Sequence, residues 1–462
     1  MDEFEMDESK RRHIAPNKHL NNSLSVLYYM GMWPEQSRYR YLYSVYTIFS
    51  GVFLLGIFLT TEIAYFIVNW NDMAKVAAIS TVLMTNATHA SKVIILVYRH
   101  SRIRDLVNVT RSEMFNRDNV KYERIVTHYT WQGIFHHIAY QTFGALAVTV
   151  WGITPVLDYL TGGSKHYPVE GLYPYNVTAT PAFEITCSYQ AVAIILCCLN
   201  NVAIDTLITG LITIACCQLT ILNRNISSLN IKTDQQLITL KGDANPGKFA
   251  TQLDNESYKN LKICIKHSNM IFDFSREIQN IFGTAIFFQF LVNCIIICLI
   301  AFNMAQVYTV KYLFLEFSNE LKCILHLLYP QMKVYIPHIL FGMLMYMCCM
   351  TYQIFIYCWH GNELYLHSLD MILAAYSNEW WQKTENFKRA IQIIMTRAQR
   401  PLILSAGNIM DISLQNFVRV SIVSVVFQTF LNSFTLFCRF YACHIQFLLF
   451  YKLRRTLELL YA

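Results

Sequence analysis

Seven apolar runs of bilayer-crossing length set the first constraint on this chain: Tyr41–Val68, Val76–Tyr98, His136–Leu160, Phe183–Leu222, Ile281–Tyr308, His338–Leu364 and Ile412–Leu436. A spanning helix needs about 20 mostly apolar residues. Inside hydrocarbon a helix satisfies its own backbone polar groups, which few other structures do. The runs therefore predict an all-α polytopic membrane protein. Length alone would allow two or three soluble domains, but 54% of the 462 residues are hydrophobic and 15% charged. A soluble domain carries about 25% charged residues, and the mean hydropathy here is +0.31. The fourth run is too long for one crossing. Its "CLNN" and Asp205 predict a helix that continues beyond the bilayer. The opening "MDEFEMDESKRRH" has no apolar core, so membrane insertion is expected to begin with the first run.

Basic residues orient the spans, because lysine and arginine gather on the cytoplasmic side. The arm to Arg40 carries 6 of them, and segments 99–135, 223–280 and 365–411 carry 7, 8 and 5. The alternate segments 69–75, 161–182 and 309–337 carry 1, 1 and 3. The amino terminus is therefore expected inside. The chain divides into a cytoplasmic arm (1–40), a seven-span domain (41–436) and an apolar extension (437–462). The sequon at Asn176 falls outside and is a candidate glycosylation site, whereas those at Asn225 and Asn255 fall inside. This orientation is the inverse of a G-protein-coupled receptor, and neither Asp-Arg-Tyr after the third span nor Asn-Pro-x-x-Tyr in the seventh is present. Most cysteines, among them Cys197, Cys198, Cys216, Cys217, Cys294, Cys298, Cys348 and Cys349, lie inside apolar runs and read as small hydrophobes. Cys187 and Cys323 flank outer loops and can pair.

One column of polar residues suggests chemistry. In "CWHGNELYLHSLD", His360, Glu363 and His367 share a helix face at i, i+3 and i+7, a spacing used by metal ligands. A membrane-embedded enzyme built on it, or on His136–His137, would need further histidine clusters on the same side, and no full set is present. No internal repeat points to a transporter.

The residues resemble the insect odorant receptors. The outer loop "LYPYNVTATPAFEITCSYQ" (Leu172–Gln190) is similar to that family's pattern. So is the fifth-span segment, with His267, Phe282, Gln289, Phe290 and Cys298 in place. So are "GNEL" (Gly361–Leu364), "AAYSNEWW" and "RAQRPLILSAGNIMDISLQNF". The likeness runs through most of the chain beyond about Asn21. A gustatory receptor relative is the alternative, and "GNEL" with the outer loop favours the olfactory branch. The resemblance implies a non-selective cation channel opened by volatile molecules. The chain would be a tuning subunit, lacking the co-receptor's long cytoplasmic insertion, and would join the odorant co-receptor in a tetramer in the plasma membrane of olfactory sensory neurons. It implies no cofactor, metal or nucleic-acid partner. The His360 column then falls in an intracellular helical anchor and is expected to serve packing.

A pocket for volatiles should be mostly apolar with a few orienting polar groups. The outer halves of spans two to six offer Met84, Thr85, Trp151, Thr154, Tyr189, Gln190, Met343, Met345, Tyr346 and Met347. Methionine suits loose recognition, although the same residues also pack helices or face lipid. In the seventh span, Val418, Ser421, Val425, Val426 and Gln428 are pore candidates. Arg419 argues against a lipid-facing helix there, and His89 and Lys92 should face the bundle interior or snorkel. Two features depart from the family. Segment 309–337 reads as a long outer loop with an amphipathic stretch. Residues 437–462 read as an eighth crossing, a surface helix or an atypical exon.

Overall fold

The computed structural model describes residues 18–33, 40–160, 167–177, 179–229, 246–318, 329–378, 380–420 and 422. Helices α1 (Lys18–Tyr29) and α2 (Arg40–Gly51) come first, and a π-turn (Val52–Gly56) carries α2 into α3 (Ile57–Val68). Then follow α4 (Met73–Tyr98), α5 (His100–Thr110), α6 (Glu113–Asn116), α7 (Glu123–Leu160), α8 (Ala182–Ser227), α9 (Pro246–Ser318), α10 (Tyr329–Tyr376) and α11 (Glu385–Ala398). A further helix begins at residue 414 and is described to residue 420.

Among the described residues, four helical stretches have the length and apolarity to cross a bilayer: Tyr41–Val68, Ala182–Ser227, Asp254–Ala305 and His338–Tyr376. The second and third runs fall in α4 and α7, whose mean apolarity is diluted by Thr, Asn, His and Lys. Most of the seventh run and all of 437–462 lie outside the described residues. Of the segment 309–337 read as a long outer loop, the described residues 309–318 and 329–337 are helical. No Gly or Pro breaks "VKYLFLEFS", so α9 runs on to Ser318, and α10 starts at Tyr329 with Pro330 in its first turn, where proline is tolerated. A two-residue antiparallel hairpin, Ser405–Ala406 with Met410–Asp411, interrupts the helical chain before its last segment.

Helix α8 is the axis of the core. Every residue from Val202 to Leu219 is buried, because α1, α7, α9 and α10 all pack on it. A helix buried on all sides has to satisfy its own polar groups. The hydroxyls of Thr206, Thr209 and Thr213 do so by donating to the carbonyls of Val202, Asp205 and Thr209 at 2.8, 3.1 and 2.9 Å. Gly210 supplies a notch, where an added Cβ would lie 2.7 Å from Leu20 Cδ2. Helix α1 fills that notch, with His19 Nε2 donating to Gly210 O (3.2 Å) and Ser23 Oγ 2.9 Å from Thr206 Oγ1.

His19 gives the docked α1 a pH dependence. Burial pushes its imidazole down from 6.5 to about 4, only partly offset by the Gly210 carbonyl. The released helix takes up a proton that the docked one does not. Docking is therefore at full strength above pH 6.5, weakens as the pH falls toward 4, and loses roughly 2 kcal/mol by pH 5. Amides 18–29, corrected for intrinsic rates, should exchange faster at pH 5 than at pH 7.5, and His19→Gln should flatten the difference. Equal protection at both pH values in the unmodified protein would contradict this account.

Candidate functional site

A cavity of about 90 Å3 lies among α3, α4, α7, α8 and α10. One ordered water needs about 10–15 Å3, so the space takes a small organic molecule. The face that α7 turns to it reads Tyr140, Gly144, Ala147, Val148, Trp151. This is the i, i+4, i+7, i+8, i+11 pattern of one helix side, with large rings at the ends and small side chains between. Opposite stand Ile194, Cys197, Cys198, Asn201 and Val202 of α8. At one end the rings of Trp151 and Tyr346 cross edge-on, with centroids 4.9 Å apart and an interplanar angle of 61°. Tyr346 OH lies 2.5 Å from Thr85 Oγ1 and 3.2 Å from Thr81 O, tying α10 to α4. The polar lining is sparse. Asn86 donates to the buried Glu62 carboxyl at 2.8 Å, and Asn200 Nδ2 donates to His89 Nε2 at 3.2 Å.

Of the ten residues singled out from the sequence, Thr85, Trp151 and Tyr346 line this cavity. Met84, Met343, Met345 and Met347 pack one layer behind it, around Ala147, Ile296, Ile300 and Met350. Thr154 turns its hydroxyl back to Val150 O (2.8 Å). Tyr189 serves the π-turn: its ring packs edge-on against Phe53 at 5.1 Å, and its hydroxyl donates to Phe53 O at 2.8 Å. A π-turn disturbs the regular backbone ladder, and a freed carbonyl needs a partner.

Gln190 holds a strap. Its Oε1 accepts from Val169 N (3.1 Å), and its Nε2 donates to Val169 O (2.9 Å) and Tyr173 OH (2.8 Å). The held Val169, 5% exposed, is itself part of the cavity wall. The segment from Tyr167 thus folds over one end of the bundle, joined to α3 by Leu172 N to Thr61 O. Asn176 is exposed on the same segment. Cys187 is a free thiol; its expected partner Cys323 lies outside the described residues.

Beneath the cavity sits an ionic hub that sequence reading only half found. His89 and Lys92 do face the interior, 2% and 4% exposed. Asp205 does more than mark a long helix. Fully buried, it accepts Lys92 Nζ (2.7 Å) and Tyr357 OH (2.8 Å) on Oδ1, and Tyr140 OH (3.2 Å) and Gln353 Nε2 (2.5 Å) on Oδ2. Gln353 Oε1 in turn accepts from Gln289 and Asn293 of α9 at 3.1 and 2.9 Å. Four helices, α4, α7, α8 and α10, meet at one carboxylate, and Gln353 links α9 to it at one remove. Part of the signal was present in the sequence: Gln353 and Tyr357 are four apart in a largely apolar run, and so lie on one helix face.

The His360 column does not converge. His360 is buried, 3.2 Å from Thr213 Oγ1, with its ring 5.0 Å from that of His136. His367 points elsewhere, to Tyr129 OH (2.8 Å) and Glu363 (3.3 Å). Among the described residues, no group of three or more His, Cys, Asp or Glu side chains is placed to hold a metal. Each imidazole ties α10 to its neighbours. Of the pore candidates, Val418 is 53% exposed, on the same surface as Arg419, whose Nη1 lies 3.4 Å from Asn416 Oδ1. Ser421, Val425, Val426 and Gln428 lie outside the described residues.

A bundle whose helices include four of bilayer-crossing length, with a small, nearly apolar cavity among them, is a polytopic membrane protein with room for a small apolar molecule. The 7tm Odorant receptor family model matches residues 72–315 and 324–427, and the chain belongs to the insect odorant receptor family. Its members are receptors, not enzymes. Odorant receptor Or1 of Anopheles gambiae is 23% identical over 357 residues, 74% of this chain and 77% of that protein. Odorant receptor 46a, isoform A, of Drosophila melanogaster is 22% identical over 375 residues, 81% of this chain and 86% of that one. The structure of the insect olfactory receptor OR5 from Machilis hrabei in complex with eugenol shares the fold, with a TM-score of 0.69 at 17% identity, covering 90% of this chain and 97% of that one.

Proposed function

We propose that the Trp151–Tyr346 cavity is the odour-binding site of this receptor. The chain acts as a tuning subunit of a cation channel opened by volatile molecules, in a tetramer with the odorant co-receptor at the plasma membrane of olfactory neurons. The observation that carries the reading is the cavity itself, concave, mostly apolar and edged by a few oriented polar groups, as small-molecule sites are. The olfactory receptor OR5, which shares the fold, is seen in complex with eugenol, a small organic molecule. The division into an arm (1–40), a seven-span domain (41–436) and an extension (437–462) belongs to the same proposal. So do glycosylation at Asn176 and a pore formed by the last span around Val418, Ser421, Val425, Val426 and Gln428.

Expressed alone, the chain should give little odour-evoked current, and with the co-receptor a robust one. In the paired channel, Trp151→Ala should shift the half-maximal concentration of an activating volatile by roughly 10- to 100-fold. That is the worth of about 1.5–3 kcal/mol of lost apolar burial. Unchanged sensitivity to every activating volatile, at normal surface density, would place the site elsewhere.

A further inference from the structure

Resting on that reading, we propose that Gly144 of α7 and Cys198 of α8 together set the largest ligand the cavity accepts. Both residues line it. Along α7 the cavity is a notch between the rings of Tyr140 and Trp151, and Gly144 is its smallest member, one turn above Tyr140. The notch is already partly filled from the other side. A Cβ built on Gly144 would stand 2.8 Å from Cys198 Sγ and 3.8 Å from Cys349 Sγ. The first distance is too short to persist, so one of the two atoms has to move.

Cys198 can move in one way. Its sulfur turns about a single bond, and on a helix only two of the three staggered positions are readily used. An added methyl at 144 and the sulfur in its present position exclude one another, and because both residues line the cavity, the extra atom thickens its wall and the ligand loses that volume. Removing the sulfur does the reverse. Interiors are close-packed and respond to single methylene groups, and in a space of about 90 Å3 one methyl or one sulfur is a sizeable share. Gly144 also lies one turn from Tyr140, whose hydroxyl is held by Asp205, so α7 cannot easily shift outward there.

The test uses the full chain with its co-receptor and a graded series of alkylbenzenes, from benzene to hexylbenzene. Ligand-evoked current, normalised to surface protein, is read together with the thermal shift each compound gives the purified complex. Gly144→Ala should weaken the longest compound bound by the wild type about tenfold and leave benzene nearly unaffected. Cys198→Ala should admit a compound about one carbon longer, and the double variant should return to the wild-type limit, because the new methyl occupies the space the sulfur left. If Gly144→Ala does not reach the surface, Cys198→Ala and Cys198→Val enlarge and crowd the same spot and should shift the limit in opposite directions. A limit that moves in Trp151→Ala but in none of the Gly144 or Cys198 variants overturns the proposal and leaves the cavity as the odour site. If Trp151→Ala too leaves the limit unmoved, the reading of the cavity falls, and the proposal with it.

Discussion

Asp205→Ala is expected to leave almost no receptor at the cell surface. The carboxylate is fully buried, and Lys92 is 3% exposed at the side chain, 2.7 Å away. Truncating Asp205 strands that ammonium among apolar side chains and leaves the Tyr140 and Tyr357 hydroxyls and the Gln353 amide without their common acceptor. Removing one partner of a buried ion pair costs about 3–5 kcal/mol. Each stranded donor adds about 1–3 kcal/mol more, unless it finds water. A fold stabilised by only about 5–15 kcal/mol does not absorb that loss. Lys92→Met should be milder, since the carboxylate keeps three neutral donors. Lys92→Met with Asp205→Leu should recover part of the yield, because replacing both charges with apolar groups is often near neutral. Surface labelling and the melting temperature of the detergent-solubilised protein report the order. An Asp205→Ala chain as abundant and as stable as wild type would show that the hub carries no such weight.

The described helices were legible in the sequence because they depend on counts along the chain: runs of about 20 apolar residues and an overlong fourth run. Contacts between helices were not. Met84 and Thr85 are neighbours in sequence, yet about 100° apart around α4, so one packs behind the cavity and the other lines it. Gln190 was read as a ligand contact because it is polar in an apolar run. Its partner is the backbone of Val169, 21 residues earlier, and no local pattern announces such a clamp. Tyr189 belongs to a π-turn more than a hundred residues away. The spacing of His360, Glu363 and His367 was real, but spacing puts side chains on a face and does not aim them at one point.

Gly361→Ala is expected to remove most of the odour-evoked current while leaving most of the protein folded and at the surface. Gly361 begins the "GNEL" stretch on α10, and its reason is visible in space. A Cβ there would stand 2.5 Å from the backbone oxygen of Ile412 and 2.8 Å from Ile412 Cγ2. Ile412 is 3% exposed, and its N–H donates to Leu404 O at 2.8 Å, so it joins the hairpin segment to the helix that begins two residues later. That helix is seated on α10 again through Phe417, whose ring crosses Phe355 at 5.7 Å. A carbonyl oxygen cannot swing aside as a side-chain tip does. The added methyl therefore displaces the segment carrying Ile412, and with it the start of the last helix. Overpacking of this kind typically costs about 1–3 kcal/mol, which the fold survives, whereas under the proposed reading, with the last span at the pore, the gate loses its geometry. Current normalised to surface protein should fall by about tenfold or more in Gly361→Ala, and further in Gly361→Val. Adding Ile412→Ala should not restore it, because the nearer obstacle is the backbone oxygen. Rescue by Ile412→Ala would assign the clash to the side chain, and wild-type current in Gly361→Val would show that the close approach of α10 to Ile412 is dispensable for gating.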